Sequence, residues 1–263
     1  MTQQQEYMLA VCDILGFSHL VQTSPLEQVV NNSLGWLRKS LYHSLHKREF
    51  PDAIPRKEQF LGNEHVGAAW FSDTFLLYSR AADREAINQL IQTVGWLLFE
   101  TMMAGRMIRG GISFGEAYID EQESIFVGKP IVEAYRLEKS QQWAGVALTE
   151  HAVEKIPLIA RSGDLGDWWV VPYDVPLKDG NKKRTLAINW TWGGHSWWRV
   201  SWSESKKLPD ENDWAARPDV CEKFINTKAF HKAFVKIALT TISRLRCVRA
   251  RKRDANLLCL RIC

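Results

Sequence analysis

The chain has 263 residues, 46% of them apolar and 11% aromatic, with 34 Lys and Arg against 30 Asp and Glu. That is enough apolar material for a real core in one large domain, or a domain with an appendage, and it excludes a disordered chain. The most apolar stretch, Ile87 to Met103, is broken by Asn88, Gln89, Gln92 and Glu100, so neither a membrane span nor a signal peptide is expected, and a cytoplasmic location is.

Five cysteines, Cys12, Cys221, Cys247, Cys259 and Cys263, form no CxxC pair. An odd, scattered set argues against a disulfide framework or a structural zinc site. Charge is unevenly spread. From Arg217 onward there are 12 Lys and Arg against 3 Asp and Glu, leaving 22 against 27 before it. Such a basic tail can meet nucleic acid or membrane, but it can equally rest on its own acidic body or a second subunit.

Tyr7 to Cys12 is a short apolar run that reads as a strand delivering Asp13 into a turn. A helix carrying Val29, Leu34, Leu37 and Leu41 follows, then a polar excursion from Lys47 to Glu64 with Pro51 and Pro55. Val66 to Tyr78 predicts a hairpin turning at Phe71, Ser72 and Asp73. Asp83 is placed to cap a long helix to Met103, whose apolar residues recur at helical spacing. Met107 to Tyr118 reads as a strand pair interrupted by glycines, Ile131 to Gln142 as a helix, and Val146 to Leu148 as a short strand before a helix with Glu150 in its first turn. This order predicts an α+β sandwich, an antiparallel sheet with helices on one face.

Eight of the 12 tryptophans fall between Asp164 and Trp214. Alternation in "LAINWTW" and "WWRVSW" predicts strands around a Gly193, Gly194 turn, serving a satellite core, a subunit contact or base stacking. Phe230, Phe234, Ala238, Ile242 and Leu245 form a stripe on a basic helix expected to dock on the body.

Asp13 and Asp73 stand at the ends of candidate strands, where a carboxylate suits a metal better than a core. If those strands pair, two like charges converge and ask for a hard cation such as Mg²⁺ or Mn²⁺. Spacing alone is also met by two turn aspartates facing solvent. Ile14 to Phe17 can offer successive N–H groups to a phosphate chain, and Gly110, Gly111 and Gly115 permit close backbone approach beside Arg109. His19 reads as a helix-surface or packed residue.

Taken together, "DILGFS" (Asp13 to Ser18), "FSDTFLLY" (Phe71 to Tyr78), "IRGGISFGEAY" (Ile108 to Tyr118) and "VGKPIVEAYRLEKS" (Val127 to Ser140) resemble the class III nucleotidyl cyclases. The resemblance covers Tyr7 to His151 and is nearest to the pyrimidine cyclases of bacterial Pycsar anti-phage systems. It implies a ferredoxin-like catalytic domain, placed at 1–203, with a Trp-rich strand and a basic helical extension at 204–263. It further implies a homodimer with two shared active sites, without nucleic acid or membrane as partner.

By the same resemblance, Asp13 and Asp73 match the aspartates that bind two divalent cations, Mn²⁺ or Mg²⁺, and Ile14 lends a carbonyl to one of them. Arg109 matches a triphosphate ligand, Phe17 lies in the phosphate-binding turn, and Arg136 matches the partner-supplied arginine of the transition state. Val132 departs from the asparagine usual before that arginine. Ala69 and Ile125 stand where adenylate cyclases place a lysine and an aspartate that read the purine. Such a polar pair contributes about 1 to 3 kcal/mol of discrimination. Replacing both with aliphatics argues against a purine, and the resemblance to Pycsar cyclases implies conversion of UTP to 3′,5′-cyclic UMP and pyrophosphate, the product acting on a separate effector. Alternatives are cyclic CMP from CTP and a catalytically silent nucleotide-sensing module.

Overall fold

The structure is a computed structural model, and it describes residues 3–46, 50–60, 63–160, 169–192 and 220–234. β1 (Gln3–Ile14) carries two apolar sets of opposite parity, so both of its faces are buried. Met8, Ala10 and Cys12 enter the main core, while Tyr7, Leu9 and Val11 enter a second cluster behind the sheet. α1 (Phe17–Thr23) and α2 (Leu26–Gln28) follow, then a π-helical turn (Val29–Leu34) that runs into α3 (Gly35–His46).

β2 (Val66–Phe71) and β3 (Thr74–Ser79) form a hairpin with Ser72 and Asp73 as its two loop residues. Ser72 adopts φ 56°, the left-handed conformation that lets so short a loop follow the strand twist. α4 (Arg84–Met103) is capped by Asp83, whose Oδ1 accepts from the Ala86 N–H at 2.9 Å. β4 (Ile108–Asp120) then completes a βαββαβ unit with neighbours in the order β2-β3-β1-β4, all antiparallel. This is the split βαβ arrangement of ferredoxin-like sheets.

β5 (Ile125–Gly128) folds back on β4, α5 (Lys129–Ser140) crosses the sheet, and β6 (Val146–Leu148) pairs parallel with β4. α6 (Glu150–Ala160), β7 (Val170–Pro176) and β8 (Lys182–Ile188) extend the sheet, and α7 spans 220–234.

Several expectations change. Met107 to Tyr118 is not a broken strand pair but lies almost wholly in one 13-residue strand. Its glycines make room: a Cβ on Gly111 would lie 2.2 Å from the Ala134 carbonyl oxygen, so glycine lets α5 rest directly on the sheet. Helices cover both faces, because α5 buries Ala134 against Leu9 and Val11 while α3 and α4 cover the other side. The sheet is mixed, not antiparallel throughout, through the β4–β6 pairing.

Within "LAINWTW" the strand ends at Ile188, and Trp190–Trp192 form a single 3₁₀ turn. Phe60, in the polar excursion, is fully buried against Tyr42 and Trp70. Phe230 of α7 packs on Trp143 and Tyr173, each with ring centroids 4.9 Å away, and Thr227 Oγ1 accepts from the Ala144 N–H at 2.8 Å. The rest of that stripe (Ala238, Ile242, Leu245), the Gly193, Gly194 turn, "WWRVSW" and the 203/204 boundary lie outside the described residues. No helix among the described residues is long and apolar enough to cross a membrane.

Candidate active site at the end of β1

β1 holds Asp13 in register with Thr74 of β3 on one side and Arg109 of β4 on the other. Its parity matches Leu9 and Val11, which places its side chain on the face covered by α5. Asp73, in the hairpin loop beside Thr74, hydrogen-bonds Asp13 side chain to side chain. Partial burial, the Asp13 charge and that hydrogen bond together hold the Asp73 carboxyl above the usual aspartate range. The charge that Asp13 sets against Asp73 is one a cation would relieve. The Thr74 hydroxyl is placed toward Asp13 Oδ1 at a long 3.5 Å.

A cation of the chain already stands there. Lys139 Nζ donates to Asp13 Oδ2 at 3.0 Å and lies 3.3 Å from Glu138 Oε2. Burial opposes its charge, but the Asp13 hydrogen bond and the charges of Glu138 and Asp13 hold the ammonium above the ordinary lysine value. Glu138 is fully buried and accepts from Arg109 Nε and Nη2 at 2.7 and 2.5 Å. Arg109 Nη1 donates to the Gln141 carbonyl at 3.1 Å, and Gln141 Nε2 to the Gly110 carbonyl at 2.7 Å. From the acidic pair a chain of alternating charge thus runs from Asp13 through Lys139 and Glu138 to Arg109.

Arg109, matched to a triphosphate ligand, is turned inward and only 4% exposed. Its donors meet Glu138 and Gln141, so its place is behind the carboxylates. Arg136 stands exposed on α5, one turn before Lys139, and within the chain it is Lys139 that reaches Asp13. The turn after Asp13 offers fewer free donors than its sequence predicts, because the Leu15 N–H is spent on the Met107 carbonyl at 2.9 Å. Phe17 is buried at the start of α1, behind Gly16 at φ 82°. His19 is exposed, and Ile14, the last residue of β1, is buried beside the acidic pair.

A groove of about 470 Å³ adjoins the pair through Thr74, with Ala68, Ala69, Phe71, Glu121 and Phe126 among its lining residues. Glu121 is fixed by the Tyr78 hydroxyl and by Arg80 Nη1 at 2.8 Å. Ala69 therefore lies in the wall. Ile125 lies between two wall residues, Ser124 and Phe126, but is itself 43% exposed and outside the wall. Trp70 contributes to the wall while its ring packs on Phe60 and under Arg38.

Asp13 and Asp73 supply hard oxygen donors of the kind Mg²⁺ and Mn²⁺ take, and their mutual repulsion fits a cation between them. Among the described residues no group of three or more His, Cys, Asp or Glu could hold a metal ion. A bound ion would need oxygens from backbone, water or substrate besides the pair. Lys139 and Glu138 are the site residues to which the resemblance gives no role. The signal for Lys139 was present: it follows Arg136 by three positions, on the same helical stripe.

No family model matches the chain and no curated protein matches it. Among solved structures, it is similar to the catalytic core of a rhodopsin-guanylyl cyclase with converted specificity in complex with ATPαS, at 13% identity over 71% of this chain and 97% of that one, TM-score 0.46. An adenylate/guanylate cyclase/hydrolase from Silicibacter pomeroyi gives 13% identity, 71% and 97% coverage and a TM-score of 0.44. A class III adenylyl cyclase-like ATP-binding protein from Pseudomonas aeruginosa gives 12% identity and a TM-score of 0.41, over 59% of this chain and 35% of that one. Likenesses this distant assign neither activity nor substrate to this chain.

Proposed function

We propose that the chain is a nucleotidyl cyclase that converts UTP to 3′,5′-cyclic UMP and pyrophosphate. The observation that carries the reading is the meeting of Asp13 and Asp73, brought together from separate motifs by the β1–β3 ladder. The βαββαβ sheet supports it, since that is the framework the motif resemblance implies.

In the reaction the ribose 3′-oxygen forms a bond to the α-phosphorus. The bond from that phosphorus to the bridging oxygen of the β-phosphate breaks, pyrophosphate leaves, and the hydroxyl proton passes to solvent. Divalent cations, Mn²⁺ or Mg²⁺, would be held by Asp13, Asp73 and the Ile14 carbonyl, and when bound they lower the hydroxyl pKa and neutralise the triphosphate. Arg136, exposed on α5, is offered to a second copy and there supplies charge to the phosphoryl oxygens. Arg109 is a positioning residue that fixes Glu138 and, through it, Lys139.

Exposed Phe71, Val132 and Tyr135 support a homodimer with two shared sites, because such side chains suit a subunit contact. Ala69 presents no hydrogen-bonding side chain to the groove and Ile125 has none to offer, which favours a pyrimidine over a purine. The preference for uracil over cytosine, and a role as second messenger for a separate effector in phage defence, follow the resemblance to Pycsar cyclases. CTP is the alternative substrate.

A second reading has one observation in its favour. Lys139 already neutralises Asp13, as it would in a silent nucleotide-binding module. Equal concentrations of UTP, CTP, ATP and GTP with Mn²⁺, followed by mass-spectrometric product counting, separate these readings. Dominant cyclic UMP is expected, and dominant cyclic CMP corrects only the base. A dominant cyclic purine overturns the pocket argument, and no cyclic product from any of the four supports the silent module.

A further inference from the structure

The resemblance gives Lys139 no role, yet among the described residues it is the one in ion-pair contact with Asp13, at 3.0 Å. Its other neighbour, Glu138, is immobile: the carboxylate is fully buried and its Oε1 is held twice by Arg109. Among the described residues Glu138 Oε2 has no hydrogen-bond partner, and the Lys139 ammonium lies 3.3 Å from it. The ammonium therefore stands between one fixed carboxylate and the acidic pair.

Lys139 differs from Arg109 in a way that matters for exchange. Arg109 is buried and locked by three donors, whereas the Lys139 side chain is 42% exposed, with the Tyr135 ring 5.4 Å from its Nζ. It has a path to solvent. A divalent ion on Asp13 would bring two positive charges onto the carboxylate that the ammonium already occupies, and the two cations would repel.

We propose that Lys139 is a built-in counter-ion for the Asp13–Asp73 pair, occupying the cation position at Asp13 until a divalent ion displaces it. The inference rests on the reading of that pair as a divalent-metal site. It makes the site stable when empty and sets a threshold of metal concentration for filling it.

The test is Mn²⁺ binding by the full-length chain without nucleotide, followed through the electron paramagnetic resonance of free Mn²⁺. Lys139→Met should bind Mn²⁺ about tenfold more tightly than the parent, and Lys139→Arg within about twofold of it. Lys182→Met, which removes one exposed charge from β8, should leave affinity unchanged and so excludes a net-charge effect. Adding Asp73→Asn to Lys139→Met should abolish the gain, which locates the ion at the pair. If Lys139→Met fails to fold, Lys139→Gln carries the same expectation. Equal or weaker affinity in the folded variant overturns the counter-ion while leaving the metal site standing, provided Asp73→Asn alone removes binding. Absence of Mn²⁺ binding in both parent and variant overturns the metal site and the proposal with it.

Discussion

Arg109 grips Glu138 through two nitrogens, at 2.7 and 2.5 Å from the same carboxylate oxygen, and the side chains are only 5% and 1% exposed. The pair ties β4 to the C-terminal turn of α5 directly behind Asp13. Removing one partner leaves the other charged and buried, which costs about 3 to 5 kcal/mol.

Arg109→Met and Glu138→Gln should therefore each lower stability by that order in urea unfolding. A triphosphate ligand would behave differently. Its loss would raise KM for the nucleotide with unfolding unchanged, so an unaltered unfolding midpoint in Arg109→Met would return Arg109 to the substrate.

The docking of α7 carries a second prediction. Phe230 is fully buried among Trp143, Tyr173 and Phe234. Truncating a phenylalanine in such a core costs about 3 to 5 kcal/mol. Phe230→Ala should lower the unfolding midpoint of the whole domain in a single transition, while loss confined to a separate early transition would show that α7 folds apart from the body.

Glu100 of α4 gives a pH prediction. Burial raises its pKa, opposed by the hydrogen bond and charge of His43 on α3 and by the Ser40 hydroxyl. The folded state holds the proton more tightly than the unfolded state. Its contribution is thus full below the unfolded glutamate value of about 4.3 and is lost as pH rises through the higher folded value. Glu100→Gln, which cannot ionise, should gain in melting temperature relative to the parent as pH rises from about 4 to 7. A constant difference across that range would refute the assignment.

Much of the fold was legible because its signals are local. The apolar run of β1, the Asp83 cap and the turn around Ser72 and Asp73 are written in consecutive residues. The continuity of β4 was not, because glycine in a strand reads as an interruption until the helix it admits is known. Gly111 exists for Ala134, a contact between residues far apart in the chain. At the site, the meeting of Asp13 and Asp73 follows from strand ends, because the β1–β3 ladder sets both. The pairing of Arg109 with Glu138 is not written in the local sequence, since whether a strand arginine faces a ligand or a buried glutamate depends on α5. Lys139 went unnoticed because its partner is supplied by the packing of that same helix.

Sharing of the site between subunits is tested by mixing. Asp73→Asn and Arg136→Ala should each be inactive alone. Co-expressed as verified heterodimers, they should regain activity at one hybrid site per dimer. Absence of rescue in such heterodimers would place Arg136 outside a shared site.

The central claim, that Asp13 and Asp73 form the metal-dependent centre of a cyclase, is met most directly by one comparison. Full-length parent and Asp73→Asn are incubated with UTP and Mn²⁺, and cyclic UMP and pyrophosphate are counted together. The parent should release the two products in equal amounts. The variant should keep the parental unfolding midpoint within about 1 kcal/mol while losing turnover by at least about a hundredfold. Near-parental product formation by Asp73→Asn would contradict it.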